Sequence, residues 1–208
     1  MEKRIAKTTE EMMLEDEALS TYSGDDRMIS SSELLTHLAK SSESEFRFTT
    51  GIPSIDRICD GVEAGELILV TGPTGEGKTT LLMTITQNIA QAGIKSAWFT
   101  LEVTPRQFLT KLQKKNPVLP EFYLPLQNVD NQIEWIDKRI KEAKLKYGIQ
   151  AVFIDHIHQI FSLQRVSNNV SLEIGDMVAK IKDIAIKNNL VIFLIAHCKD
   201  TPMEPTRE

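Results

Sequence analysis

The feature that most constrains this chain is a glycine-rich turn at residues 72–79, which reads GPTGEGKT. Its pattern, G-x-x-x-x-G-K followed by S or T, lies between an apolar run at 66–71 and a helical pattern at 78–91. Glycines let consecutive backbone N–H groups turn toward phosphate oxygens, and the N-terminus of the following helix adds the positive end of its dipole. The turn therefore predicts a phosphate-binding loop. The alternative, a Gly-rich surface turn, would not need the flanking strand and helix.

The loop pattern also predicts which ligands bind and which residues contact them. We expect Lys78 to neutralise the β and γ phosphates of ATP, which makes it a catalytic residue, and Thr79 to offer its hydroxyl to Mg²⁺. The nucleotide contacts are predicted to come from the loop and the residue after it: Gly72, Pro73, Thr74, Gly75, Glu76, Gly77, Lys78, Thr79 and Thr80.

Apolar runs alternate with amphipathic patterns from residue 48 onward. The runs predict strands at 66–71, 96–101, 151–155 and 190–196, with a weaker one at 122–124. Helical periodicity predicts helices at 78–91, from 104 onward, at 133–147 and at 172–188, with a polar loop at 162–171. Such alternation predicts an α/β fold with a mostly parallel sheet and helices on both faces. Ligands of these sheets bind at the carboxyl ends of the strands.

Three polar residues follow predicted strands and are candidates for the chemistry. Asp155 ends the strand AVFID and is expected to hold Mg²⁺. Glu102 follows the strand at 96–101 and could act as the general base on a water molecule; alternatively, it is a carboxylate stabilised by the dipole of the helix that Thr104 begins. His197 follows the last strand and could sense the γ-phosphate, or it could be a surface histidine.

Other residues that could carry chemistry remain open to simpler interpretations. His156 and His158 flank the turn after Asp155, but Mg²⁺ prefers oxygen ligands, so we interpret both as structural or interfacial. Arg165 lies in the polar loop and could contact DNA phosphates, although an ordinary solvated loop is an equal alternative. The two cysteines match no ligand spacing and are expected to be reduced thiols.

The first 47 residues differ in composition from the rest and suggest a separate arm. They are rich in Glu, Asp, Ser and Met, and 28–40 contains one amphipathic helix candidate with Leu34, Leu35 and Leu38 on one face. Ser31 or Ser32 is the expected cap. We predict a polar arm or linker at 1–47 and a nucleotide-binding domain at 48–208; plain disorder of the arm is the alternative.

Charge and hydropathy exclude two broad classes of protein. The net charge of −5 argues against binding of nucleic acid by bulk electrostatics, so any DNA contact must use a local patch. The longest uninterrupted apolar run, 190–196, has seven residues, whereas a membrane span needs about 20. The first residues lack the apolar segment of a signal peptide. We expect no membrane contact and a location in the cytoplasm, or the host cytoplasm if the source is viral.

The motifs together resemble a known family. The segment GIPSID at 51–56, Gly61, the segment GELI at 65–68, the phosphate loop and the turns after Glu102, Asp155 and His197 resemble the RecA-like ATPase domain of DnaB-type hexameric replicative helicases. The phage and mitochondrial branch is most similar, and the match runs from about 48 to 201. The resemblance implies a RecA-like P-loop NTPase fold, with Glu102 activating water, Asp155 supporting the metal and His197 sensing the γ-phosphate.

The resemblance also implies a motor that couples Mg²⁺-ATP hydrolysis to movement on single-stranded DNA as a homo-hexamer. In that family a later segment supplies an arginine finger and DNA-contacting loops, so we expect an ATPase domain that is incomplete at its C-terminus and weakly active by itself. Two alternatives stay open: a RecA-like or KaiC-like ATPase of recombination or regulation, and a nucleotide-binding module that loads a helicase.

Overall fold

A computed structural model of the chain describes residues 9–40, 46–115, 117–128, 133–156 and 170–197. The chain divides into two compact units, Met1–Ser44 and Glu45–Glu208. No helix within the described ranges is long and apolar enough to cross a membrane.

The described part of the first unit contains two helices, α1 (Thr9–Ser20) and α2 (Ser31–Lys40). The predicted helix corresponds to α2, whereas α1 was not predicted. The proposed cap is wrong by one residue, because the backbone N–H of Glu33 donates to Oγ of Ser30 at 3.1 Å. Ser30 therefore caps α2, and the predicted capping residue Ser31 is already the first residue of the helix.

The second unit is built on a parallel sheet of four described strands. These are β3 (Leu67–Gly72), β4 (Ser96–Thr100), β5 (Ala151–Asp155) and β6 (Val191–His197), and their order across the sheet is β3-β6-β5-β4. Before this sheet, β1 (Arg47–Phe48) and β2 (Val62–Glu63) form an antiparallel pair around the short helix α3 (Pro53–Cys59).

Four longer helices complete the second unit: α4 (Lys78–Gln91), α5 (Pro105–Lys115), α6 (Ile133–Tyr147) and α7 (Val170–Lys187). Side chains alternate between two cores along each central strand. Phe99 faces the core that includes α6 and α7, whereas Trp98 faces the core that includes α4 and α5. The predicted α/β fold, with a parallel sheet covered on both faces, is therefore confirmed.

The element boundaries agree with the sequence to within one or two residues in most places. Helix α5 begins as predicted, because the N–H of Thr104 donates to Oε1 of Gln107 and the N–H of Gln107 donates to Oγ1 of Thr104. The weak strand at 122–124 is a single bridge between Tyr123 and Ala97. The polar loop was predicted to end at Ser171, but α7 already begins at Val170.

The segment before the main sheet is fastened to α4 by a small polar network. The side chain of Asp56 accepts hydrogen bonds from the backbone N–H and the hydroxyl of Thr50, at 2.7 and 2.8 Å. The amide of Asn88, on α4, donates to the carbonyl of Thr50 at 3.1 Å. Gly51 has a φ of 73° against this helix. The GIPSID segment thus supports the helix that the phosphate loop begins.

Candidate nucleotide-binding site

The parallel register brings the ends of four strands to one edge of the sheet. Gly72 at the end of β3 pairs with His197 at the end of β6, and Thr100 at the end of β4 pairs with Asp155 at the end of β5. Glu102 follows two residues after Thr100. The predicted site residues on these strands, far apart in sequence, therefore share the edge where open α/β sheets bind ligands.

The glycine-rich loop joins β3 to α4 and leaves the helix N-terminus accessible. Gly75 and Gly77 have φ values of 89° and 83°, in the left-handed region that glycine adopts without strain. A Cβ atom at either position would meet nothing within 4 Å, so the backbone conformation, rather than crowding, requires glycine there. Gly77 caps α4 without any side-chain hydrogen bond, which leaves N–H groups of the first turn available to an anion.

Lys78 lies inside the loop rather than in solvent. Its residue is 8% exposed, and its ammonium donates to the carbonyl oxygens of Gly72 at 2.8 Å and Pro73 at 2.6 Å. Both acceptors are neutral, so the positive charge is held at the end of β3 without being neutralised by them. The predicted loop residues from Pro73 to Gly77 and Thr80 are exposed around it.

Thr79 and Asp155 meet where α4 begins and β5 ends. The hydroxyl of Thr79 donates to Oδ2 of Asp155 at 2.8 Å, across 76 positions of sequence. Hydroxyl and carboxylate oxygens suit Mg²⁺, which commonly takes one or two protein ligands and completes its shell with phosphate oxygens and water. No cluster of three or more His, Cys, Asp or Glu residues occurs among the described residues, which argues against an all-protein metal cage in that part of the chain.

Glu102 faces a cleft beside these residues. The cleft has a volume of about 480 Å³ and is lined by Thr79, Glu102 and Asp155 on one side and by α5 on the other. The side chain of Glu102 is 58% exposed, and its Oε2 lies 3.7 Å from Nε2 of His156. Two other clefts of about 460 and 590 Å³ are lined by residues around Tyr123 and contain none of the predicted site residues.

Sequence reasoning assigned His156 to a structural or interfacial role and did not connect it with Glu102. Their contact follows from the pairing of β4 with β5, which a hypothetical alignment of the two strand ends could have suggested. His197 is placed by its backbone pairing with Gly72. Arg165, His158 and Cys198 lie outside the described residues.

Comparison with known proteins agrees with this geometry. Residues 48–121 match the family model of the DnaB-like helicase C-terminal domain. The resemblance to DnaB-type helicases is confirmed. The DnaB-like match includes the GIPSID segment, the phosphate loop and Glu102, and it ends before Asp155.

Curated relatives share moderate identity with the chain. The DNA repair protein RadA of Streptococcus pneumoniae is 27% identical over 154 residues, which cover 73% of this chain and 34% of that protein. The Twinkle homolog protein, chloroplastic/mitochondrial, of Arabidopsis thaliana is 25% identical over 186 residues, which cover 74% of this chain and 26% of that protein. The chain thus spans about a third of the length of the curated relatives it matches.

Solved structures show the fold. The ATPase domain of a helicase superposes with a TM-score of 0.62 and 13% identity, covering 81% of this chain and 70% of that one. A KaiC-like protein from Pyrococcus horikoshii superposes with a TM-score of 0.58 and 19% identity, covering 74% and 73%. The fold of the second unit is therefore RecA-like.

Proposed function

We propose that this chain is the ATP-binding and hydrolysing motor domain of a replicative DNA helicase. The observation that carries the proposal is the meeting of Lys78, the Thr79–Asp155 pair and Glu102 at one edge of a RecA-like sheet. The DnaB-like match over 48–121 supports the helicase class in particular. ATP and Mg²⁺ are the proposed substrate and cofactor.

The phosphates of ATP would lie over the loop, where the free N–H groups at the start of α4 face an anion. Lys78 would exchange the carbonyls of Gly72 and Pro73 for phosphate oxygens, which are better acceptors because they are charged. Thr79 and Asp155 would hold Mg²⁺, which neutralises charge on the phosphates when it is bound.

Glu102 would take a proton from the attacking water. Its carboxylate is more than half exposed and faces the cleft beside Asp155, so a water molecule can reach both the carboxylate and the γ-phosphate. His197, whose backbone pairs with the first residue of the loop, is placed to report loss of the γ-phosphate to β6. We propose His197 as this sensor and Arg165 as a contact to DNA.

The proposed partners belong to the full-length protein, because the chain covers only about a third of its curated relatives. They are single-stranded DNA and further copies of the chain in a homo-hexamer. Division of the chain into an arm at 1–47 and an ATPase domain at 48–208, incomplete at its C-terminus, remains a proposal, as does a cytoplasmic location.

The direct test of the motor is the effect of single-stranded DNA on ATP hydrolysis by the full-length protein. We expect DNA to raise the hydrolysis rate, and Glu102→Gln to keep ATP binding but lose hydrolysis, because the amide cannot accept the proton. Glu134→Gln is the matched control, since it makes the same chemical change at an exposed position in the first turn of α6. If ATP binds and DNA leaves the rate unchanged, the motor proposal fails.

A RecA-like or KaiC-like ATPase of recombination or regulation is the second candidate. The identity of 27% with RadA and the likeness to a KaiC-like structure favour it. It hydrolyses ATP but does not unwind a forked DNA duplex, so an unwinding assay separates it from the helicase. The third candidate, a helicase-loading module, would bind ATP without DNA-stimulated hydrolysis.

A further inference from the structure

The ends of β4 and β5 bring Glu102 and His156 together. Thr100 pairs with Asp155, and the N–H of Leu101 donates to the carbonyl of Asp155 at 2.7 Å, so the pairing continues past the end of β4. Glu102 and His156 are the next residues on the two chains and leave the sheet at neighbouring points. Nε2 of His156 lies 3.7 Å from Oε2 of Glu102.

The two side chains differ sharply in how freely they can move. The side chain of His156 is 9% exposed, whereas that of Glu102 is 58% exposed. A buried ring is restricted to one rotamer by its neighbours, but a half-exposed glutamate samples several. In this pair the fixed imidazole therefore determines where the mobile carboxylate rests.

We propose that His156 is a positioning residue that holds one carboxylate oxygen of Glu102 so that the other oxygen faces the attacking water. This inference rests on the proposed ATPase function. A neutral imidazole with its proton on Nε2 suffices, because that N–H can donate to the carboxylate. The 3.7 Å separation exceeds hydrogen-bond length, and such contacts commonly shorten when substrate binds.

The expected effect appears in kcat. Displacement of a catalytic group by about 1 Å can lower the rate by about 100-fold. Loss of the His156 contact should therefore lower kcat by about 10- to 100-fold and leave KM for ATP unchanged. The phosphate loop and Lys78 would bind ATP as before, since the proposed contact acts on the base alone.

The test compares two amide substitutions of the same histidine. In His156→Gln the amide nitrogen occupies about the place of Nε2 and can still donate to Glu102, whereas in His156→Asn it stops near the place of Nδ1. We expect His156→Gln to retain kcat within about threefold and His156→Asn to show the full loss. Both should bind an ATP analogue like the native chain. Equal kcat for His156→Asn and the native chain overturns the positioning role.

A double substitution shows whether His156 acts through Glu102. In the Glu102→Gln background, His156→Asn should cause no further loss of rate, because the base is already absent. A further loss equal to that in the native background would contradict the proposal. If His156→Asn does not fold, the imidazole ¹⁵N resonances of native His156 provide a second test. They should shift in Glu102→Gln, and unchanged resonances would overturn the contact.

The outcomes also separate this proposal from the proposed function. If the native protein hydrolyses no ATP, or if Glu102→Gln hydrolyses it at the native rate, the ATPase assignment falls and the role of His156 falls with it. If Glu102→Gln is inactive and His156→Asn retains the native kcat, the ATPase assignment stands and only the role of His156 is wrong.

Discussion

A buried hydrogen bond ties the helix after the phosphate loop to the strand that leads to Glu102. Trp98 on β4 and Thr86 on α4 are both fully buried, and the indole N–H of Trp98 donates to Oγ1 of Thr86 at 3.1 Å. The hydroxyl of Thr86 in turn donates to the carbonyl of Leu82 at 2.8 Å. The Trp98 ring also stacks on Phe153, with centroids 4.9 Å apart, so it cannot turn away to find water.

Replacement of Thr86 by valine keeps the shape of the side chain and removes the hydroxyl. The indole N–H then remains buried without its acceptor, which costs about 1–3 kcal/mol. The carbonyl of Leu82 loses only an additional donor, because Thr86 still contributes its backbone N–H to the helix. For a chain of this size the loss corresponds to a fall in Tm of about 2–12 °C.

The assay is urea unfolding followed by far-UV circular dichroism, with Thr86→Val measured in the native and in the Trp98→Phe background. When both partners are apolar, no N–H is left unpaired, so Thr86→Val should cost at least about 1 kcal/mol less in the second background. The same cost in both backgrounds, or less than about 0.5 kcal/mol in the native one, would refute the reasoning.

Two further predictions concern stability. Gly51→Ala should destabilise the chain by more than Gly93→Ala, because both glycines have left-handed φ values but only at Gly51 would a Cβ meet a neighbour, 2.5 Å from Cβ of Asn88. Thermal melts of the two variants test this, and equal Tm values would contradict the crowding argument. Thr104→Ala should cost about 0.5–2 kcal/mol in urea unfolding through loss of its hydrogen bond to the Gln107 N–H, whereas Thr104→Ser should retain most of the stability.

The strands and helices of the second unit were predictable because burial leaves a regular pattern in the sequence. Ala151–Asp155 is buried on both faces of the sheet and so forms a continuous apolar run that ends in a carboxylate. Helix α6 ends before Gly148, whose φ of 70° suits a helix end, as its sequence indicated. The loop glycines were predictable for a similar reason, because their backbone geometry admits few other residues.

The elements that were missed lack such a pattern. Helix α1 buries none of its residues, so it has no apolar stripe, and its acidic first turn and good helix formers are a weaker signal. The cap at Ser30 depends on backbone geometry that three neighbouring serines cannot distinguish. The contact between Glu102 and His156 depends on the register of two strands that are about 50 residues apart, which hydrophobic periodicity does not specify.

Binding of a fluorescent ATP analogue in the presence of Mg²⁺ tests the central claim most directly, namely that the loop and the strand ends form an ATP site. The native chain and Glu102→Gln should bind with equal affinity, because Glu102 is proposed to act on water rather than on the nucleotide. Lys78→Ala should lose about 100-fold or more, and chelation of Mg²⁺ should weaken native binding. Circular dichroism must show that Lys78→Ala is folded, because Lys78 also bonds the carbonyls of Gly72 and Pro73. A folded Lys78→Ala that binds the analogue as tightly as the native chain would contradict the account.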